Sequence, residues 1–259
     1  MKKTIKIKCP AKINLDLRVF PKEKSGFHPI KSIMQTISLY DYLTISLEEG
    51  SGITITGNSD EIPYDERNLC HKAAKLYFDT LGKNYKVSID IEKNIPVEAG
   101  LAGGSTDAAG VLYGLNQLLK KALSDDKIFE LASRLGSDLN FCLKGGTQWC
   151  QGKGDNMTQM PFYSFKLSLV KPKNLRISAK EAYEAFDKLD RESDMRNDLE
   201  FALLDKYEEL KYLHSLDLQM SGSGPTYFLR DKNIDFEINK EKYLVINDLH
   251  SVDHGVTKV

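Results

Sequence analysis

The sequence has few cysteines. Cys9, Cys70, Cys142 and Cys150 are its four, and none stands in CxxC or other metal-ligand spacing. That excludes a zinc-finger type of site and a disulfide scaffold, and it fits free thiols in a reducing compartment. Charge of one sign is also missing: 36 Lys and Arg against 37 Asp and Glu leave a net −1. A nucleic-acid footprint needs a basic excess or stripe, so no nucleic-acid partner is expected. No apolar run approaches the roughly 20 residues of a membrane span. The opening MKKTIKIK carries the charges of a secretory n-region, but Lys6 and Lys8 interrupt any apolar h-region. With eight prolines, no low-complexity segment and no internal repeat, no linker is evident. These absences predict a soluble, cytoplasmic chain of one large or two modest domains, for which 41% hydrophobic residues are ordinary.

What is present centres on Pro96–Thr106, PVEAGLAGGST. Before it, Val87, Ile89 and Ile91 alternate with polar residues, which predicts a half-buried strand. After it, Ala108, Val111, Leu112, Leu115, Leu118 and Leu119 recur at helical spacing. A strand therefore enters a loop with Gly100, Gly103 and Gly104, and the loop opens a helix. Glycines let backbone N–H groups approach a ligand, and a helix N-terminus favours negative charge. The combination predicts an anion site, with phosphate as the natural occupant. It matches neither GxxxxGK[ST] nor GxGxxG, and a plain strand–helix connection is the competing reading.

From Ile5 to Val19 apolar residues fall on odd positions, with Pro10 interrupting, which predicts two strands or one bent strand. Lys12 and Asn14 then share a face. Taken alone, Lys12 reads as an ordinary solvated strand lysine. Phe27 and His28 lie in the loop PKEKSGFHPI, either as an anchor or as a ring pair that holds a planar ligand. Strands are expected at 33–37, 43–47 and 53–55, and a helix from Asn68 to Leu81 with Gly82 as its stop. Ser124 and Gly136 bracket a further helix; Asp138 follows, at what reads as a junction with a strand through Leu139, Phe141 and Leu143. Downstream, Phe165–Val170 reads as a strand and Ser178 with Glu181 as a capping box. Asn197 caps another helix, and SGSGPT at 221–226 is a second glycine-rich turn, either a hairpin entry or a ligand contact. His250 and His254 are four apart but lie in a tail without helical period, so no metal site is expected there.

Taken together and in this order, PAKINL at 10–15, SGFH at 25–28, ERNL at 66–69, the 96–107 loop, GSD at 136–138 and SGSGPT at 221–226 resemble the GHMP kinases. The resemblance spans residues 8 to about 229. It is strongest to the members that act on a cytidine-diphosphate-linked methylerythritol in non-mevalonate isoprenoid synthesis. It implies an α+β protein of two domains: 1–157, of the ribosomal-protein-S5 type, and 158–259, ferredoxin-like, with the active site in the cleft between them. It implies ATP and Mg²⁺, with Pro96, Val97, Glu98, Ala99, Gly100, Leu101, Ala102, Gly103, Gly104, Ser105 and Thr106 around the ATP phosphates and Asn68 near the nucleotide. Ser105 or Thr106 would offer a hydroxyl to metal or phosphate. Asp138 matches the catalytic Asp and Lys12 the lysine paired with it. Asn14, Phe27 and His28 fall where the family holds the cytidyl end of the small-molecule substrate. A monomer or weak homodimer is expected.

The chain departs from the family pattern in several places. Phe27 stands where Tyr is common, and Gly136-Ser-Asp-Leu-Asn140 replaces GAD-V-P. Ala102 replaces a loop glycine, which implies that less backbone freedom is needed there. After SGSGPT no amphipathic helix precedes the last strand, so a trimmed C-terminal lobe is expected. Two other readings compete: a GHMP kinase for mevalonate-type or sugar substrates, and a nucleotide-binding member without catalysis. Phe27–His28 argues against the first, and the pairing of Lys12 with Asp138 against the second.

Overall fold

A computed structural model of the chain describes residues 2–190, 193–235 and 237–259. Its first sheet is built on two long antiparallel strands, β1 (Lys3–Val19) and β2 (Ile30–Glu48). Of the two expectations at Pro10, the bent single strand is found. The register jumps from Pro10↔Tyr40 to Ala11↔Ile37, so β2 carries extra residues at the bend. The strands expected separately at 33–37 and 43–47 are the two arms of β2. A βαβ unit follows, with β3 (Gly52–Gly57) and β4 (Lys86–Glu92) parallel and joined through α1 (Leu69–Leu81).

Helix α2 (Gly103–Leu118) covers this sheet at close range. A Cβ on Gly110 would stand 2.5 Å from Cys9 Sγ, and one on Gly114 2.7 Å from Ile45 Cδ1. Two glycines a turn apart therefore set the helix-to-sheet spacing. Helix α3 (Asp125–Leu135) runs from the Ser124 cap as expected. The strand expected at 139–143 is instead a short helix, α4 (Leu139–Lys144). Leu139, Asn140, Phe141 and Cys142 are all buried, and alternating apolar residues over five positions fit one helical turn as well as a strand. Strand β5 (Thr147–Gly152) pairs with the near arm of β2, and β6 (Asn156–Gln159) with β5.

The second sheet has the order β10-β7-β9-β8, all antiparallel, from β7 (Lys166–Pro172), β8 (Gln219–Met220), β9 (Tyr227–Arg230) and β10 (Tyr243–His250). Helices α5 (Ala179–Phe186), α6 (Asp198–Leu204) and α7 (Glu208–Ser215) lie between its first two strands in the chain. This is the expected ferredoxin-like arrangement with its second helix missing: the described residues between β9 and β10 contain none. The chain passes from one sheet to the other between β6 and β7, so the expected boundary at 157 falls inside β6. Strand β11 (Thr257–Lys258) then returns to pair with β1.

A second apolar cluster joins the two sheets through the glycine loop. Ala11, Ile13 and Ile37 from the first sheet meet Leu167, Leu169 and Phe228 from the second, with Ile95, Ala99 and Leu101 between them. The loop is thus packed on its apolar side and open on the other. Among the described residues, no helix is long and apolar enough to cross a membrane.

Candidate active site

The open side of the loop faces a cleft of about 830 Å³ between the two sheets. Pro96–Gly100 and Ala102–Ser105 line it; Leu101 and Thr106 do not. Leu101 is in the joining core, and Thr106 is fully buried against the Cys142 thiol. Of the two candidate hydroxyls, only Ser105 therefore reaches the cleft. Three loop residues are left-handed: Glu98 (φ 50), Gly100 (φ 72) and Ala102 (φ 59). The expectation that less backbone freedom is needed at Ala102 is overturned, because it holds the left-handed conformation a glycine would, as the residue before the first turn of α2.

Gly100 is needed for contact as well as for φ. A Cβ there would meet Ser221 O at 2.2 Å and Gly224 N at 2.9 Å. The second glycine turn lies directly on the loop, and the Ser221 hydroxyl donates to Gly100 O at 3.0 Å. Both readings of SGSGPT hold: it is the hairpin turn between the paired strands β8 and β9, and it approaches the cleft, which Gly222 and Ser223 line, with a Cβ on Gly222 placed 3.0 Å from Lys12 Nζ.

Lys12 is 5% exposed, so the solvated-lysine reading fails. Its backbone N–H donates to Leu101 O at 3.1 Å, and its ammonium donates to Asn14 Oδ1 at 2.6 Å. The Asn14 amide N–H₂ donates to Ser32 Oγ at 2.8 Å, and the Ser32 hydroxyl donates to Asp16 O at 2.6 Å. This chain of bonds orients the Asn14 amide and commits it to Lys12. Lys12 Nζ is 3.9 Å from Asp138 Oδ2, close enough for ion pairing but beyond a hydrogen bond. Asp138 precedes α4 yet makes no side-chain cap bond. Its carboxylate is free to face the cleft, which it lines.

At the other end, His28 is buried and Phe27 is 49% exposed. His28 Nδ1 lies 3.0 Å from Phe20 O, which can only accept, so Nδ1 carries the proton. Nε2 is 3.2 Å from Asp187 Oδ1. The imidazole stacks on Tyr183, with centroids 5.1 Å apart and planes 23° apart. Lys153 Nζ sits 4.0 Å over the Phe27 ring. Burial, with the Asp138 charge beside it, pushes the Tyr183 phenol up to about 12. Asn68 lines the cleft too, but its amide caps α1, accepting from Cys70 N at 2.9 Å and donating to Pro63 O at 2.6 Å.

Several cleft residues escaped sequence reasoning. Tyr183 and Asp187 look like ordinary residues of a capped helix, and Lys153 like part of a turn. Lys93 had a readable signal: it continues the inward series Val87, Ile89, Ile91, where a charge is out of place.

The chain resembles known proteins along most of its length. The family described as "GHMP kinases N terminal domain" matches residues 68–146. A 4-diphosphocytidyl-2-C-methyl-D-erythritol kinase of Clostridium beijerinckii is 40% identical, over 86% of this chain and 90% of that protein. One of Clostridium tetani is 39% identical, with the same coverage of both. A solved 4-(cytidine 5'-diphospho)-2C-methyl-D-erythritol kinase superposes with a TM-score of 0.71 at 30% identity, covering 88% of this chain and 89% of that one. The homoserine kinase of Cytophaga hutchinsonii superposes at 0.74 with 17% identity, over 100% and 98%, and so shares the fold.

Proposed function

This chain belongs to the GHMP kinase family, and on that premise we propose that it phosphorylates 4-diphosphocytidyl-2-C-methyl-D-erythritol with ATP, at the 2-hydroxyl, on the non-mevalonate route to isoprenoids. The observation that carries the reading is convergence. A glycine loop at a helix N-terminus, a Lys12–Asp138 pair and an aromatic–imidazole wall all open onto one cleft.

On this reading the loop holds the ATP phosphates, and the acceptor lies with its cytidyl end against Phe27, His28 and Tyr183. The 2-hydroxyl oxygen attacks the γ-phosphorus as the bond to the bridging oxygen of ADP breaks, and the Asp138 carboxylate takes the hydroxyl proton. Lys12, held by Asn14 and paired with Asp138, fixes the carboxylate in place and offsets the negative charge that grows on the transferred group. Mg²⁺ fits the donor set: the Ser105 hydroxyl opens on the cleft, and this ion is usually held by few protein groups plus substrate phosphates, where it neutralises charge. His28, whose Nδ1 is bonded to Phe20 O, offers only Nε2 to the cytosine edge, and Phe27 and Tyr183 supply faces for stacking. Residues 1–157 thus carry ATP and the catalytic pair, and 158–259 close the cytidyl end through Tyr183.

The test is incubation with Mg-ATP and the cytidyl diphosphate substrate, followed by mass spectrometry. The expected product is the substrate plus one phosphoryl group, with ADP formed in equal amount. ATP binding without product, or product only from another alcohol, would sink the assignment.

A further inference from the structure

Three charged side chains lie beneath the glycine loop, outside the reaction just described. Lys93, Asp41 and Asp107 have side-chain exposures of 5%, 0% and 4%. Asp41, on β2, accepts the backbone N–H groups of Asn94 at 2.6 Å and Ile95 at 2.8 Å with Oδ1. Its other oxygen accepts from the Lys93 ammonium. That ammonium also donates to Asp107 Oδ2, on α2, at 3.0 Å. Asn94 and Ile95 lead into the loop, and α2 leads out of it. One cation therefore spans the base of the loop from entry to exit. A Cβ on Gly103, the first residue of α2, would be 2.7 Å from Lys93 Nζ, so the ammonium packs directly under the helix start.

Taking three charges out of water is expensive, and such networks are weak evidence of added stability. Burial works against the Lys93 charge, but the two carboxylates outweigh it and its pKa is raised. Burial raises Asp107 as well; Lys93 opposes the shift and Asp41 adds to it. The return is geometric. A loop with three left-handed residues has much freedom to lose, and an anion site binds well only if that freedom is lost beforehand. We propose that Lys93 is a positioning residue for ATP: bridging Asp41 and Asp107, it ties the strand entering the loop to the helix leaving it, and so pre-sets the loop's backbone N–H groups. The proposal rests on the reading of this loop as the ATP site. Two of the three Lys93 N–H groups go to these carboxylates, and the role proposed is to hold the loop, not to bind phosphate.

The test uses Asp107→Ala, which removes the exit tie and leaves Lys93 paired one-to-one with Asp41, so the fold keeps a balanced pair. Calorimetry is run on the whole protein with Mg-ATP, and separately with CDP as the probe of the cytidyl end. The expected result is ATP affinity weaker by about tenfold or more, the scale of a lost hydrogen bond to a charged group, with CDP affinity within about twofold of wild type. Asp107→Asn, whose carbonyl oxygen still accepts from Lys93, should recover ATP affinity to within about threefold. Unchanged ATP affinity in Asp107→Ala overturns the proposal. So does equal loss for ATP and CDP, which would mean general damage to the fold. Tighter ATP binding also overturns it, because a freed Lys93 would then be acting on the phosphates directly. The ATP titration needs no acceptor, so a failure of the cytidyl assignment shows separately, as absent CDP binding in wild type.

Discussion

The two ends of the cleft are built on opposite plans. The proposed phosphate end is made of backbone: a glycine loop packed on an apolar core, braced by Ser221 from above and Lys93 from below. The proposed cytidyl end is made of side chains: Phe27, His28, Tyr183 and Asp187, from a loop of one lobe and a helix region of the other. A polyphosphate offers the same oxygens whatever it is attached to, so repeated N–H donors suffice. A base offers flat faces and one patterned edge, which only rings and directed polar atoms can read. The backbone end should therefore be sensitive to added volume, and the side-chain end to removed area.

Asp138→Asn lies between the ends and should have the largest effect. Loss of a general base lowers turnover by about 10²–10⁴-fold, with ATP and CDP affinities retained. Steady-state rates beside calorimetry would show it, and an unchanged rate removes Asp138 from the chemistry.

Gly100→Ala tests the backbone end by adding one methyl. The new Cβ would stand 2.2 Å from Ser221 O at a φ of +72°. Overpacking of this kind costs about 1–3 kcal/mol, expected as a lower melting temperature together with a higher KM for ATP. Gly104→Ala, with nothing within 4 Å, is the control for stability and should melt near wild type. Equal melting of the two variants would break the claim that contact with the second turn shapes the loop.

Tyr183→Ala tests the other end by removing a ring. Base–aromatic stacking contributes about 1–3 kcal/mol, so CDP affinity should fall roughly ten- to hundredfold while ATP affinity holds. A loss confined to ATP would reverse the assignment of the two ends.

The smallest effect concerns the Tyr183 phenol. Its value is raised from 10.0 to about 12, first by burial and then by Asp138, so the fold favours the neutral form. Its contribution to stability is complete below pH 10.0 and is lost as pH rises through about 12. Difference absorbance between wild type and Tyr183→Phe should place the missing phenolate near the upper value. A midpoint near 10 would show that the ring is not held in the cleft wall.

Much of this was legible locally. The alternation around β1 and β4, the Ser124, Ser178 and Asn197 caps and the Gly82 stop all depend on neighbours within a few residues. Errors arose where a short pattern had two solutions. Leu139–Leu143 alternates but folds as a helix, because α2 and α3 bury four consecutive residues there. At Ala102 the assumption that a side chain excludes a left-handed backbone gave way to the demands of the helix entry. Lys93 was readable only in hindsight, as a charge in an inward register.

By itself, then, the sequence determined most of the elements, the glycine-rich helix entry at Pro96–Thr106 and the residue types available for the proposed phosphoryl transfer. Local spacing dictates backbone conformation, and glycine content dictates how closely a backbone can approach a ligand. Only the tertiary structure decided which of those residues meet. Lys12 comes to 3.9 Å from Asp138, and Ser221 bonds Gly100 across the chain. Ser105 reaches the cleft and Thr106 does not. Those outcomes depend on how α2 and the two sheets pack, and packing is a property of contacts far apart in sequence.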